Sequence, residues 1–244
     1  MTTGKIVSHT PADLPGKVIL LTGGGDGIGR ECALAYAREG ATVAILDRDL
    51  DTARRTASEA GGDSLAFYAD VSDGKAVRTA IGAALEQFGR IDAVHNNAGT
   101  ASPSKPLHET TEQEWDDLQR VNLKSVFWTT KFALGALAAS KGSILNTASM
   151  VGLIGQRSHA AYVATKGAMI SLTKAMAADY SWYRMFLSGC SSFACLVWLR
   201  LLHILDVSEQ CSPMIKPVAV GHIIARTSDG IVVFMNMSLF RPLF

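Results

Sequence analysis

Residues 17–40 read KVILLTGGGDGIGRECALAYAREG, and this stretch decides the fold. Its start is a short apolar run closed by glycines. An uninterrupted run of this kind suits a parallel strand buried on both faces. From Ile28 the apolar spacing becomes helical and stops at Gly40. Glycines between a strand and a helix permit positive φ and let backbone approach a ligand closely. The helix start behind them offers unpaired N–H groups and a favourable dipole for a pyrophosphate. Taken alone, the loop fits a tight glycine turn equally well.

The same alternation continues along the chain. ATVAILD, residues 41–47, predicts a second strand, followed by a charged helix over residues 49–60. SLAFYAD and SDGKAVRTAIGAALEQFG predict a third strand and helix, with Ser72 as the helix N-cap. IDAVHNNAG gives a fourth strand running into a turn, and residues 112–139 a long helical segment. GSILNTAS is a fifth strand, followed by a helix carrying Tyr162 and Lys166. Strands followed by amphipathic helices specify right-handed crossovers, hence an α/β fold with a doubly wound parallel sheet of Rossmann type.

The bulk properties narrow the function. The chain has 244 residues, 48% of them hydrophobic and 18% charged, which suits one large globular domain. Its 23 Lys and Arg balance 22 Asp and Glu, so no net field recruits nucleic acid or an anionic membrane. The first residues, MTTGKIVSHTPADLPGK, contain no apolar core of signal-peptide length, so a cytoplasmic location is expected. Four cysteines imply no disulfide framework, none has metal-ligand spacing, and no metal is expected.

Four positions add chemistry to the glycine loop. Asp47 ends the second apolar run 18 residues after Gly29, where an acid can accept both ribose hydroxyls of an adenosine. A carboxylate there repels a 2′-phosphate, so NAD is expected rather than NADP. Asp49 and Asp51, in the same charged run, read instead as helix-capping acids. Tyr162 and Lys166 stand at i and i+4 on one helix face. A free tyrosine, with a pKa of about 10, is a poor base at neutral pH, but a nearby ammonium favours its phenolate. The alternative is a helix whose tyrosine packs and whose lysine is solvated. Ser149 ends the fifth strand, at the edge that lines the ligand crevice of such sheets. Its alternative is a strand-end turn serine.

In order and at fitting intervals, the chain shows TGGGDGIG at residues 22–29, AD-V at 69–71 and NNAG at 96–99. Asn122 in VNLKSVF, Ser149 in NTASM, and Tyr162-x-x-x-Lys166 follow. Together they resemble the short-chain dehydrogenase/reductase family over about residues 14–180. The resemblance implies that Gly23, Asp26, Gly27, Ile28 and Gly29 hold the cofactor and Asp47 binds its adenosine ribose. Asp70 and Val71 would meet the adenine, and Asn96 would line the cleft. Tyr162 would be the catalytic acid/base and Ser149 would orient the substrate oxygen. Lys166 would assist Tyr162 and bind the nicotinamide ribose, and Asn122 would hold a relay water. The implied reaction moves a hydride between NAD and a secondary alcohol or ketone. The implied assembly is a dimer or tetramer built on the long helix after NNAG and the Tyr/Lys helix. His95 and His159 receive no role.

After Tyr180 the composition changes. Residues 181–244 hold 8 of the 45 charged residues but three of the four Cys and five of the nine Phe. They show neither the G-I-R-V-N strand nor the Pro-Gly turn with which the family continues. Two regions are therefore expected: a dinucleotide-binding and catalytic domain over residues 1–180, and an atypical, disordered or poorly packed tail over 181–244. The tail reads foremost as the product of a shifted frame or retained intron. A genuine variant end and, over residues 185–199, a membrane anchor are the other readings. That uncharged run is shorter than the ~20 residues of a spanning helix. Without a sixth strand, the fifth is expected to show an unpaired edge beside the site. DGIVVFMN, residues 229–236, is expected as a late edge strand. If the substrate region is lost, the chain becomes a non-catalytic cofactor-binding remnant or an interaction partner of full-length relatives.

Overall fold

The computed structural model describes residues 14–180 and, beyond them, the backbone of residues 186–191, 222–226 and 232–236. The disorder or poor packing expected of the rest of the tail, and most of the anchor segment, lie outside the described residues. In chain order the elements are β1 (Val18–Thr22), α1 (Gly27–Arg38), β2 (Thr42–Asp47), α2 (Leu50–Ala60), β3 (Leu65–Tyr68), α3 (Gly74–Phe88) and β4 (Ala93–Asn96). There follow α4 (Glu112–Gln119), α5 (Ser125–Ser140), β5 (Ser143–Ala148), α6 (Val151–Ile154), α7 (Ala160–Asp179), β6 (Phe186–Ser191), β7 (His222–Arg226) and β8 (Val232–Asn236).

Every residue of β1 is buried, as an apolar run without alternation requires at the centre of a parallel sheet. The pleat sends Leu20 into one core, with Val77 and Ile81 of α3, Val126 and Ala133 of α5 and Met169 of α7. Ile19 and Leu21 face the other core, with Ala33 and Tyr36 of α1 and Ala53 of α2. Helices on both faces make the sheet doubly wound. The strand order β3-β2-β1-β4-β5-β6-β8-β7 reverses direction between β1 and β4. At such a switch point the loops leaving neighbouring strands part and open a crevice.

Four local expectations are corrected. The N-cap of α3 is Asp73, not Ser72: its carboxylate accepts from the Lys75 N–H. The segment over residues 112–139 is not one α-helix. It passes through a π-helical turn at Arg120–Lys124 between α4 and α5. The fifth strand has no open edge, because β6 pairs with it in parallel from Ser143↔Phe186 to Ala148↔Ser191. Ladder bonds are made by backbone, so the missing G-I-R-V-N letters do not prevent pairing. Finally, residues 232–236 form a strand, yet an interior one: β8 lies between β6 and the antiparallel β7.

Candidate active site

The crevice begins where β1 ends. Thr22 Oγ1 accepts from the backbone N–H groups of Asn97 and Ala98, both at 3.1 Å, tying the first loop to the turn after β4. Asn97 Nδ2 donates to the carbonyl of Gly23 at 3.1 Å. Gly23 and Gly27 have φ of +65° and +53°. A Cβ on Gly23 would lie 2.8 Å from Ala98 Cα, and one on Gly29 only 1.9 Å from the Gly23 carbonyl oxygen. The loop is thus folded on itself tightly enough that only hydrogen fits at Gly29. Asp26 caps α1 by accepting from the Gly27 N–H at 2.7 Å, and Ile28 stands exposed beside it. The result is a backbone cradle at a helix N-terminus.

Asp47 closes the outer side of the cradle. One carboxylate oxygen accepts from the Gly25 N–H at 2.9 Å and the other from the Asp49 N–H at 3.0 Å. Each oxygen keeps lone pairs for hydroxyl donors. Asp49 caps α2, as its place in the charged run indicates, accepting from Asp51 and Thr52. Asp70 and Val71 follow β3, and Asp70 Oδ1 accepts from the Ser72 N–H at 2.8 Å.

Asn96 does not offer its side chain to the crevice. Its amide donates to Asn146 Oδ1 at 2.8 Å and its oxygen accepts from Thr129 Oγ1 at 2.7 Å, inside the core. Asn97 is the asparagine that organises the loop. The sequence reading missed it, together with Thr22, although both lie inside the motifs it singled out.

The second half of the site lies at the ends of β4 and β5. Asn122, 1% exposed, sits in the π-turn. Its Oδ1 accepts from Thr100 N–H at 2.8 Å, while its Nδ2 donates to the Thr100 carbonyl at 2.8 Å and to Thr165 Oγ1 at 3.1 Å. Ser149 follows β5 immediately, its Oγ accepting from the Val151 N–H at 3.4 Å. Tyr162 and Lys166 share one face of α7, with Lys166 Nζ 5.8 Å from the tyrosine ring centroid. Lys166 is 4% exposed and donates to the Thr147 carbonyl at 2.7 Å. A Cβ on Gly99 would lie 3.1 Å from Asn122 Oδ1 and 3.6 Å from Lys166 Nζ. The ammonium therefore points to the loop after β4, which is also fastened to Thr22.

Burial pushes the Lys166 pKa down from 10.5 to about 8, because an ammonium loses hydration there. Below about pH 8 the protein carries the cost of a buried cation. As pH rises from there towards 10.5, the unfolded chain holds more protons and that cost fades. Lys166 thus lowers stability at neutral pH.

The family model described as short chain dehydrogenase matches residues 17–190. The chain belongs to that family. It is 40% identical over 168 residues to the L-fucose dehydrogenase of Bos taurus, covering 69% of this chain and 62% of the relative. It is 39% identical over 165 residues to the meso-2,3-butanediol dehydrogenase of Serratia marcescens, covering 67% and 65%. A solved 3-ketoacyl-(acyl-carrier-protein) reductase from Brucella melitensis, complexed with NADH, superposes with a TM-score of 0.71 at 34% identity. That superposition covers 72% of this chain and 75% of the other. An NAD+-bound xylitol dehydrogenase gives the same TM-score at 31% identity, over 73% and 70%. The chain spans only 62% and 59% of the bovine and Oryctolagus cuniculus L-fucose dehydrogenases. Its family match includes most of β6, ten residues beyond the point where the composition changes.

Proposed function

We propose that the chain is an oxidoreductase that moves a hydride between NAD and a secondary alcohol or ketone, with Tyr162 as acid/base. The observation that carries this is Lys166: a buried ammonium aimed at the crevice, on the helix face that also bears Tyr162. The glycine cradle fits a dinucleotide pyrophosphate, Asp47 fits its adenosine ribose, and Asp70 and Val71 fit its adenine. Asn96 contributes there only through backbone. The bound nicotinamide supplies the chemistry of accepting or donating the hydride at the carbinol carbon.

The protein's own residues manage the proton. In the oxidative direction Tyr162 takes the hydroxyl proton while Ser149 holds the same oxygen. Lys166 stabilises the negative charge that Tyr162 carries before taking it. Asn122, fixed by three hydrogen bonds, completes the group and would hold the water that passes the proton to solvent. Most of the rate comes from alignment and charge placement, since the cofactor brings the bond-making atoms.

Two relatives named for L-fucose and meso-2,3-butanediol, and a neighbour named for xylitol, support a vicinal diol or polyol as the substrate. The proposal is tested by NADH formation at saturating NAD with a panel of such alcohols, repeated with Tyr162→Phe. The change of composition after Tyr180 supports a second reading, cofactor binding without turnover. NAD-dependent thermal protection with no Tyr162-dependent activity would establish it.

Asp47→Ser tests the cofactor assignment. Losing the carboxylate is expected to weaken NAD binding by about tenfold and strengthen NADP binding, both read by calorimetry. A wild-type chain that prefers NADP would remove Asp47 from this role. The Lys166 charge sets the alkaline limit. Because its ammonium is lost as pH rises through about 8, kcat/KM is expected to fall above that pH. Lys166→Arg, charged throughout, is expected to lose that limb of the profile along with much of the rate.

We also assign a homo-oligomer assembled through α4, α5 and α7. Phe127 is 51% exposed on α5, and Trp115 is exposed on α4. Aromatic side chains presented to solvent on long helices suit a packed partner. Among the described residues, no helix is long and apolar enough to cross a membrane.

A further inference from the structure

His95 takes no part in the chemistry described above, yet it is 1% exposed and both of its ring nitrogens are engaged. Nδ1 lies 3.1 Å from the Tyr36 hydroxyl on α1, and Nε2 lies 3.0 Å from Thr147 Oγ1 on β5. Register explains the contact: His95 stands opposite Leu145, so Thr147 is its diagonal neighbour on the same sheet face. The Tyr36 ring meets the imidazole edge-on, at 76° and 6.0 Å between centroids. Thr147 and Tyr36 are themselves buried.

The chain of contacts does not stop at Thr147. The carbonyl of that residue accepts from Lys166 Nζ at 2.7 Å. Thr147 is thus held from two directions: by its hydroxyl on the α1 face and by its carbonyl at the crevice. A buried imidazole is costly where an apolar residue would pack, and the satisfied nitrogens offset only that cost. A neutral imidazole has one donor and one acceptor, and either hydroxyl can take either role, so the contacts hold in both tautomers.

We infer that His95 is a positioning residue: backed by Tyr36, it fixes Thr147 so that the Thr147 carbonyl holds the Lys166 ammonium at the crevice. This rests on Lys166 serving the proposed hydride transfer. The ammonium has no ion pair among the described residues, and Tyr162 is the titratable group beside it. Its orientation therefore depends on neutral acceptors, of which the Thr147 carbonyl is the one in hydrogen-bond contact.

Thr147→Val is the decisive variant, because it keeps side-chain shape and the carbonyl and removes only the hydroxyl. His95→Leu and the polar His95→Gln accompany it. At pH 6 the Lys166 ammonium is followed by its ¹H–¹⁵N signal, assigned through its loss in Lys166→Arg. Wild type is expected to show a slowly exchanging signal. Thr147→Val and His95→Leu are expected to speed its exchange by about tenfold, and His95→Gln to restore part of the protection. In turnover, the first two are expected to lower kcat about tenfold with little change in KM. A purely structural histidine would lower Tm and leave ammonium exchange and the kcat-to-KM split unchanged, which overturns the inference. An unprotected Lys166 signal in wild type overturns it as well. If wild type shows the protected signal but no turnover, the hydride-transfer proposal fails and the exchange data still decide the role of His95.

Discussion

Tyr162→Phe is expected to lower kcat by about 10³-fold or more while leaving Tm and NAD binding close to wild type. The substitution deletes one oxygen from a half-buried ring and keeps the edge-on contact with His159, whose centroid is 6.5 Å away. Packing around α7 is therefore preserved. What disappears is the only group proposed to exchange a proton with the substrate oxygen. Ser149 cannot replace it, since a serine hydroxyl holds an oxygen at neutral pH without giving up its proton readily. Lys166 cannot replace it either, because its hydrogen bond to Thr147 holds it back from that position. The measurement is NADH formation with the best alcohol of the panel, alongside calorimetric NAD binding. Residual activity within tenfold of wild type would remove Tyr162 from the acid/base role.

The second large effect is at the cradle. Gly29→Ala would place a methyl 1.9 Å from the Gly23 carbonyl oxygen and 2.7 Å from Asn97 Nδ2. Both neighbours are fixed: the Gly23 N–H donates to Leu46 O at 2.8 Å, and Asn97 is held by Thr22. Relief requires α1 to move off the sheet or the first loop to open. Either costs roughly 3 kcal/mol and destroys the backbone geometry that cradles an anion. We expect a clear fall in Tm and no NAD-induced thermal shift. Gly27→Ala is the control. It meets no atom within 4 Å but has φ of +53°, so its cost is that of a left-handed alanine, about 1–2 kcal/mol. Equal damage from both variants would show that backbone freedom, rather than the close approach at Gly29, governs this loop.

How far the sequence carries depends on which interactions are local. VILLT reads as a buried parallel strand because its whole length is apolar, and all of it is buried. Asp49 reads as a cap because an acid before a helix has one obvious local use. Ser72 and Asp73 are both able to cap, and only the backbone path decides between them. The same holds for Asn96 and Asn97: the register of β4 against β1, Leu21↔His95, sends one into the core and the other to the loop. Nothing in the letters of residues 112–139 breaks the helix, since it contains neither proline nor a run of glycine. The break coincides with hydrogen bonds exchanged between Asn122 and Thr100, 22 residues away, which periodicity cannot register. The absent G-I-R-V-N motif misled at Phe186 for the opposite reason: it is a pattern of side chains, and the pairing of β6 with β5 is a property of backbone. The network through His95 was equally hidden, because it joins α1, β4 and β5 by contacts 59 and 52 residues apart.

The wide turn at Arg120–Lys124 also bears on how the gene can vary. Elsewhere in a helix, losing one codon swings everything downstream by about 100° and exposes its packed side. Here the ladder already contains a surplus residue, so a single deletion would let ordinary i→i−4 bonding run unbroken from α4 into α5. Such a product would keep Val126 and Ala133 in the core and lose the placement of Asn122. Natural or engineered one-residue shortening at this point is thus a route to descendants that keep the fold and lose the proposed role of Asn122.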